Sequence, residues 1–462
     1  MLSIILNVFN FLSSILFYEV FGLPLMVIWL IAAIFFISFK LKFPNVRFFK
    51  HGLDVALRNK YYSKDDIGDI TPKQALLTSI AGSVGLGNIS GVAIAITIGG
   101  PGAVFWMIVY CFFAMNIVFI ETTLSQLYRH VDSKGKISGG PFRYLKSGLE
   151  ELGYKKFGSI LAVFFCVMLV FGTIGGTMFQ INQTIKMLTD YSIFKNLAIV
   201  FSALFASLCL YTLINGIKAI GKIIEKIIPV VFVLYILCAI IILVVNYRSI
   251  PSSLLIIIKD AMSGSSAVGG FLGMVVIAIR RISYASEAGL GTASIGQSTA
   301  KTKEPIRQAT VASLIPLFGT ALFCFLTAII IVTSGAYKVD AQGILITKNA
   351  FLTVSPWFPA LLSIIITMIA TSYMLSTSFF GQSAWKELFK CKYVFVFNTI
   401  YIIAILISPM IDLNNLLNII DTFALGISIP NLIGVYMLSG VVKRKMLKYS
   451  EDLKNGEFDK KS

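Results

Sequence analysis

Charge is scarce in this chain. Asp, Glu, Lys and Arg make up only 13% of its 462 residues, while 57% are hydrophobic and the mean hydropathy is +0.85. A soluble domain carries about twice that charged fraction, so a water-soluble globular fold is excluded. Histidine is scarcer still, with only His51 and His130. Together with the lack of a paired nucleophile and base, this argues against an enzyme and leaves little for a membrane hydrolase or a haem protein to use. The cysteines, Cys111, Cys166, Cys209, Cys238, Cys324 and Cys391, are scattered without any C-x-x-C spacing. They read as small buried hydrophobes, not metal ligands. No charged ring or repeated filter motif marks a channel. Residues 1–18 are apolar but lack a basic start and a small-residue cleavage site. They read as a helix lying at the membrane interface, not a removable signal peptide.

Long apolar runs are abundant. Eleven segments reach roughly the 20 residues a bilayer crossing needs: 24–42, 73–99, 101–127, 157–187, 194–214, 227–246, 264–282, 306–333, 357–380, 393–411 and 415–442. Phe21-Gly22-Leu23-Pro24 separates the first from the interfacial helix. The net charge of +17 raises the question of nucleic acid, but its distribution answers it. With the C-terminus in the cytoplasm, 33 of the 39 Lys and Arg fall on the cytoplasmic side of these spans. That asymmetry is the positive-inside signature of a multi-pass protein of the cell membrane, with its N-terminus outside. The partners implied are lipid and a small solute, not nucleic acid, and no feature sets an oligomeric state.

The first span apart, the other ten divide into five and five. An odd number per group places the groups in opposite orientation. The chain then reads as an N-terminal part, 1–72, a first repeat, 73–250, a second, 251–442, and a basic tail, 443–462. Span two contains Gly82-Ser83-Val84-Gly85-Leu86-Gly87-Asn88-Ile89-Ser90-Gly91. Glycines and an amide weaken a helix, and a broken helix at membrane depth survives only where protein or a cavity lines it. Span seven opens with a second glycine cluster, Ser263 to Gly270, with Gly273 beyond. Interrupted spans at matching positions of two halves point to a transporter built from inverted repeats. Gly87-x-x-x-Gly91 also fits small-residue helix packing. It is not a dinucleotide loop, because the last glycine spacing is wrong and no strand precedes it.

These blocks resemble a known family. Gly85-Leu86-Gly87-Asn88-Ile89-Ser90-Gly91-Val92-Ala93, followed by Gly99-Gly100-Pro101-Gly102-Ala103-Val104-Phe105-Trp106-Met107, closely resembles the signature of the alanine or glycine:cation symporters. Gly139-Gly140-Pro141-Phe142-Arg143-Tyr144, the stretch from Phe171-Gly172 through Gln180 and Asn182, Glu287-Ala288-Gly289-Leu290-Gly291-Thr292-Ala293 and Pro430-Asn431-Leu432 are similar to further family blocks. The resemblance implies an all-α LeuT-type fold, a 5+5 inverted repeat preceded by one extra helix. It also implies import of a small neutral amino acid, alanine- or glycine-like, coupled to Na⁺ or sometimes H⁺. The chain departs from the pattern at Ser286 and Gly319, and in span nine, where Tyr373 replaces Thr, Thr377 replaces Trp and Gln382 replaces Glu. A proton-coupled carrier or exchanger of a different or larger small amino acid or amine on the same fold is therefore the alternative.

A zwitterion needs partners for a carboxylate and an ammonium, and a broken helix offers freed N–H groups for one and freed carbonyls for the other. On this basis the substrate is expected at Gly82, Gly85, Gly87 and Asn88 of span two, facing Gln180 and Asn182, Gly269 and Gly270, and Thr377. Ser376 is a further facing hydroxyl. Removal of the indole at Thr377 is expected to open space for larger side chains. The coupling ion, Na⁺ or H⁺, is expected near Ser83, Gly85, Thr371 and Ser372, the last two standing near the family's Ser-Thr pair, which here reads Ser372-Tyr373. No other cofactor is implied. Glu121 is expected to pair with Arg129 or Arg143, and Glu287 with Arg280 and Arg281; Asp421 is a lesser candidate for moving protons.

Overall fold

A computed structural model of the chain describes residue 14 and residues 16–20, 22–58, 67–133, 137–263 and 270–458. Most of the expected interfacial helix, the glycine cluster 264–269 and the end of the tail lie outside the described residues. The rest is almost wholly helical, because hydrocarbon cannot serve backbone polar groups and a helix satisfies its own. In chain order the principal helices are α1 (Leu25–Leu41), α2 (Pro72–Ser83), α3 (Ser90–Gly99), α4 (Ala103–Leu127), α5 (Lys155–Thr189) and α6 (Ala198–Asn215). There follow α7 (Ile217–Val245), α8 (Ile250–Ser263), α9 (Gly270–Ser286) and α10 (Thr292–Ser298). The last four are α11 (Pro305–Thr333), α12 (Pro359–Leu388), α13 (Val394–Ile407) and α14 (Leu413–Lys454).

Among the described residues, seven helices are long and apolar enough to cross a membrane, and the bent pair α2–α3 makes an eighth. The other three expected spans are shorter. Helices α1 and α9 have 17 residues each, about 26 Å of rise, against a hydrocarbon core of about 30 Å. The third, α13 with the 3₁₀ turn Ser408–Met410 that follows it, forms a short apolar helix over Val394–Met410. Span seven ends later than expected, at Ser286, and Arg280 and Arg281 lie within α9.

Span seven is broken, at a place the sequence reading missed. Its expected interruption at Ser263 to Gly270 falls largely outside the described residues. A break is present at Glu287–Gly291, between α9 and α10. Glu287 (φ 54°), Gly289 (φ 84°) and Gly291 (φ 72°) are left-handed there, which no helix can accommodate. The two broken spans lie side by side, α2 against α10 and α3 against α9. Around them, α5 packs along α12 and α14.

Buried polar side chains hold the second break. The Glu121 carboxylate on α4 accepts from Asn431 Nδ2 at 2.5 Å, and the same nitrogen donates to the Gly289 carbonyl at 2.8 Å. The Tyr144 hydroxyl donates to Asn431 Oδ1. Two expected pairings are therefore corrected. Arg129 does not meet Glu121; it donates to the carbonyls of Ser298, Ala300 and Thr302 at 3.2, 2.9 and 2.7 Å. Arg143 pairs with Glu387 at 2.9 Å. Arg280 and Arg281 likewise pair with Asp421, not Glu287.

We propose the orientation that the charge asymmetry implies, with the loop after α11 outside and the tail after α14 inside. In intact cells a membrane-impermeant maleimide should label Asp340→Cys and leave Asn455→Cys unlabelled. Cys391, the exposed native cysteine, should stay silent as well. The reverse labelling pattern would invert the assignment.

Candidate functional site

The first break is built residue by residue. Helix α2 starts cleanly, with Thr71 and Gln74 capping each other at 3.2 and 3.1 Å and Pro72 in the first turn. It runs through Gly82 and Ser83, stops at Val84, and Gly85 is extended (φ −112°, ψ −177°). A single 3₁₀ turn, Leu86–Asn88, leads into α3, and the two halves bend by 57°. The amide of Gly85 donates to Ser83 at 3.0 Å, that of Leu86 to Gln180 Oε1 at 2.6 Å, and that of Asn88 to Gly85 at 3.0 Å. In a continuous helix these three would close onto the carbonyls of Ala81, Gly82 and Val84. The break thus frees carbonyls at the end of α2.

Side chains fix this geometry. A methyl at Gly85 would come within 2.3 Å of Gln180 Nε2 and 3.0 Å of the Tyr373 ring, so a larger residue there would push Gln180 from its place at the Leu86 amide. Asn88 is fully buried. Its amide donates to the carbonyls of Ser83 at 3.0 Å and Gly319 at 3.1 Å, and the Thr327 hydroxyl donates to its carbonyl at 3.0 Å. Asn88 is therefore a tie between the break and α11, with its donors already engaged.

The two breaks lie directly against each other, and a small cavity opens beside the second of them. A methyl at Gly82 would stand 3.3 Å from the Glu287 carboxylate and 3.1 Å from Phe380; one at Gly87 would stand 3.3 Å from Tyr284. Glu287, Tyr284, Thr173, Tyr373, Thr377 and Phe380 all line the cavity, and Glu287 is the one acid among its lining residues. About 20 Å³ is open to the centre of a water-sized sphere, room for about one water. The hydroxyls of Tyr284 and Tyr373 meet at 3.0 Å, and Thr377 Oγ1 lies 3.1 Å from both Thr177 Oγ1 and the Tyr401 hydroxyl. Thr377 lines the cavity with the Tyr401 hydroxyl beside it.

Of the expected substrate residues, the structure gathers Gly82, Gly85, Gly87, Asn88, Gln180 and Thr377 about the break and its cavity. Asn182 is not with them. Two residues past Gln180, it points about 200° around the helix and donates to the carbonyls of Ser408 at 2.9 Å and Ile411 at 3.0 Å. Gln183 takes the place it was given: its Oε1 accepts from the Ser90 hydroxyl at 3.0 Å and the Ile344 amide at 3.3 Å. The signal was its i+3 spacing from Gln180. Gly270 opens α9 at the end remote from the break, about 25 Å along the helix, and Gly269 lies outside the described residues.

The four residues expected around an ion do not converge. Ser83 Oγ donates to the Ile80 carbonyl at 3.0 Å and packs on Gly319, while Gly85 faces Gln180 and Tyr373. Thr371 and Ser372 donate back to Thr367 at 2.7 Å and Ile369 at 2.9 Å. Contact with α2 comes instead from Ser376, whose hydroxyl donates to the Thr78 carbonyl at 3.1 Å.

Comparison with known proteins agrees with this architecture. Residues 3–462 match the Sodium:alanine symporter family. The chain is 31% identical over 437 residues to the Sodium/alanine symporter AgcS of Methanococcus maripaludis, covering 94% of this chain and 95% of that one. It is also 31% identical over 440 residues to the Probable sodium/glutamine symporter GlnT of Bacillus subtilis, covering 94% and 89%. Among solved structures, MhsT in complex with L-phenylalanine superposes with a TM-score of 0.55 at 16% identity, over 79% of this chain and 88% of that one. A substrate-bound Na⁺-coupled sialic acid symporter does so with 0.52 at 12% identity, over 90% and 85%. These two likenesses show the fold, which is LeuT-type.

Because Asn88 ties the break to α11, Asn88→Ala should lower thermal stability in detergent without any substrate present, by about 1–3 kcal/mol for the carbonyls left unpaired. Thermal unfolding of the purified variant checks this. Unchanged stability with lost substrate binding would assign Asn88 to the substrate.

Proposed function

The chain belongs to the sodium:alanine symporter family, and from that premise we propose that it imports a small neutral amino acid together with Na⁺ by alternating access across the cell membrane. The observation that carries this reading is the pair of facing helix breaks with Glu287 between them. The end of α2, with its freed carbonyls, is the negative end of a helix, and the start of α3 is a positive one. A zwitterion between them meets both charges, with its carboxylate toward α3 and its ammonium toward Glu287 and the end of α2. Without such partners, burial of either charge would cost several kcal/mol.

The ion belongs beside the same helix end. Ser376 already touches α2 at Thr78, and Ser372 is one turn nearer the break on the same face of α12. Oxygen ligands of this kind suit a hard cation. Tyr373 lines the cavity and sets its ring beside Gly85 at the break, while Ser372 stands next to it on α12. The names of the relatives, a sodium/alanine and a sodium/glutamine symporter, support both the ion and a neutral amino acid. The cavity is too small for an amino acid as it stands, so admission requires the broken spans to move. We take repeats 73–250 and 251–442 as the units that rock against each other.

Uptake of alanine into proteoliposomes should require Na⁺ and fail in K⁺ or choline media. Glu287→Gln should reduce it roughly 10- to 100-fold, the worth of a charged hydrogen bond, and Ser372→Ala should raise the Na⁺ concentration for half-maximal uptake. Equal uptake in all three cations, accelerated by an inward proton gradient, would reject sodium coupling.

A further inference from the structure

The cavity wall on α12 and its neighbours is unusually rich in hydroxyls. Tyr284, Tyr373, Thr173, Thr292 and Thr377 all line it. Tyr373 and Thr377 stand one turn apart on α12 and are two of the positions at which this chain departs from the pattern it resembles. The aromatic ring is thereby moved by a turn, and what replaces an indole wall is a polar one. The polarity is held in place. Tyr373 and Tyr284 are in contact through their hydroxyls at 3.0 Å. Thr377 Oγ1 is backed by Tyr401, a fully buried side chain on α13 whose hydroxyl also lies 2.5 Å from Thr177 Oγ1 and 3.3 Å from the Met374 carbonyl. A packed aliphatic wall would need none of this.

Two phenols in contact share one hydrogen. The Gln180 side chain also bonds to the Tyr284 hydroxyl, and the phenolic hydrogen not shared between the two rings is left for a further partner. A methyl group cannot supply that partner, whereas a hydroxyl both donates and accepts. A site whose buried polar groups await a substrate hydroxyl discriminates strongly against the analogue that lacks one.

We propose that the central site of this chain is built for a small amino acid with a hydroxyl on its side chain, of the serine or threonine class, in preference to alanine or glycine. The inference rests on reading this cavity as the amino-acid site. The hydroxyl wall formed by Tyr373, Tyr284 and Thr377 selects the side chain, while Glu287 and the break hold the groups common to all amino acids.

The test is binding of L-serine, L-threonine, L-alanine and glycine to the purified full-length protein in Na⁺, by calorimetry, with counterflow in proteoliposomes as a second readout. Serine or threonine should bind at least tenfold more tightly than alanine. Tyr373→Phe, which keeps the ring and removes the hydroxyl, should bring that ratio close to one. Thr377→Val offers the same readout should Tyr373→Phe not fold. Alanine binding as tightly as serine would overturn the hydroxyl assignment while leaving amino-acid transport standing. A serine preference undiminished in both variants would show that another wall sets it and would equally overturn the assignment. Binding of no amino acid at all would overturn this inference and the transport reading together.

Discussion

Every backbone amide and carbonyl inside a bilayer needs a partner from the protein, because hydrocarbon offers none. That constraint shapes the centre of this molecule. Both breaks open their hydrogen-bond ladders among buried residues, and each open group left alone would cost several kcal/mol. Buried amides and one carboxylate answer most of the demand. Gln180 takes the Leu86 amide, Asn88 takes the Ser83 and Gly319 carbonyls, and Glu121 with Asn431 holds the backbone at Gly289. What they leave over are the carbonyls at the end of α2 and the Glu287 carboxylate, which lies beside Gly82 and lines the cavity. The polar groups that stabilise the fold and those free for a ligand are thus complementary sets.

The charges inside the membrane follow the same logic. Arg280 and Arg281 share Asp421, which is almost fully buried. Intramembrane charges survive in pairs or facing water. This group joins α9, half of a broken span, to α14, and so couples the broken spans to the surrounding helices. On the opposite side of the break, Arg129 donates to the carbonyl of Ser298 at the end of α10 and to those of Ala300 and Thr302 beyond it, and Gln297 donates to the Ala75 carbonyl on α2 at 3.0 Å. A change of access must rearrange such contacts on one side while keeping them on the other.

Much of this was legible in the residues. The helical class, the order of the spans and the first break follow from hydropathy and from Gly85, Gly87 and Asn88. The second break was harder to see. The cluster at Ser263 to Gly270 lies largely outside the described residues, and the break seen at Glu287–Gly291 rests on backbone angle, with positive φ at Glu287, Gly289 and Gly291. Side-chain direction was the other hidden quantity. Gln180 and Asn182 are neighbours in sequence, yet only Gln180 reaches the break. Ser83 and Gly85, two residues apart, face α11 and α5 respectively. Pairings across the bundle, such as Arg281 with Asp421 and Glu121 with Asn431, join residues 140 and 310 positions apart, beyond any local pattern.

The central claim is that the facing breaks, with Glu287 between them, form the amino-acid site. An experimental structure of the protein with Na⁺ and a bound amino acid tests it most directly. The account predicts the ligand between residues 84–89 and Glu287, its ammonium beside that carboxylate and its side chain toward Tyr373 and Thr377. A ligand bound elsewhere, with Glu287 making no contact to it, would contradict the account.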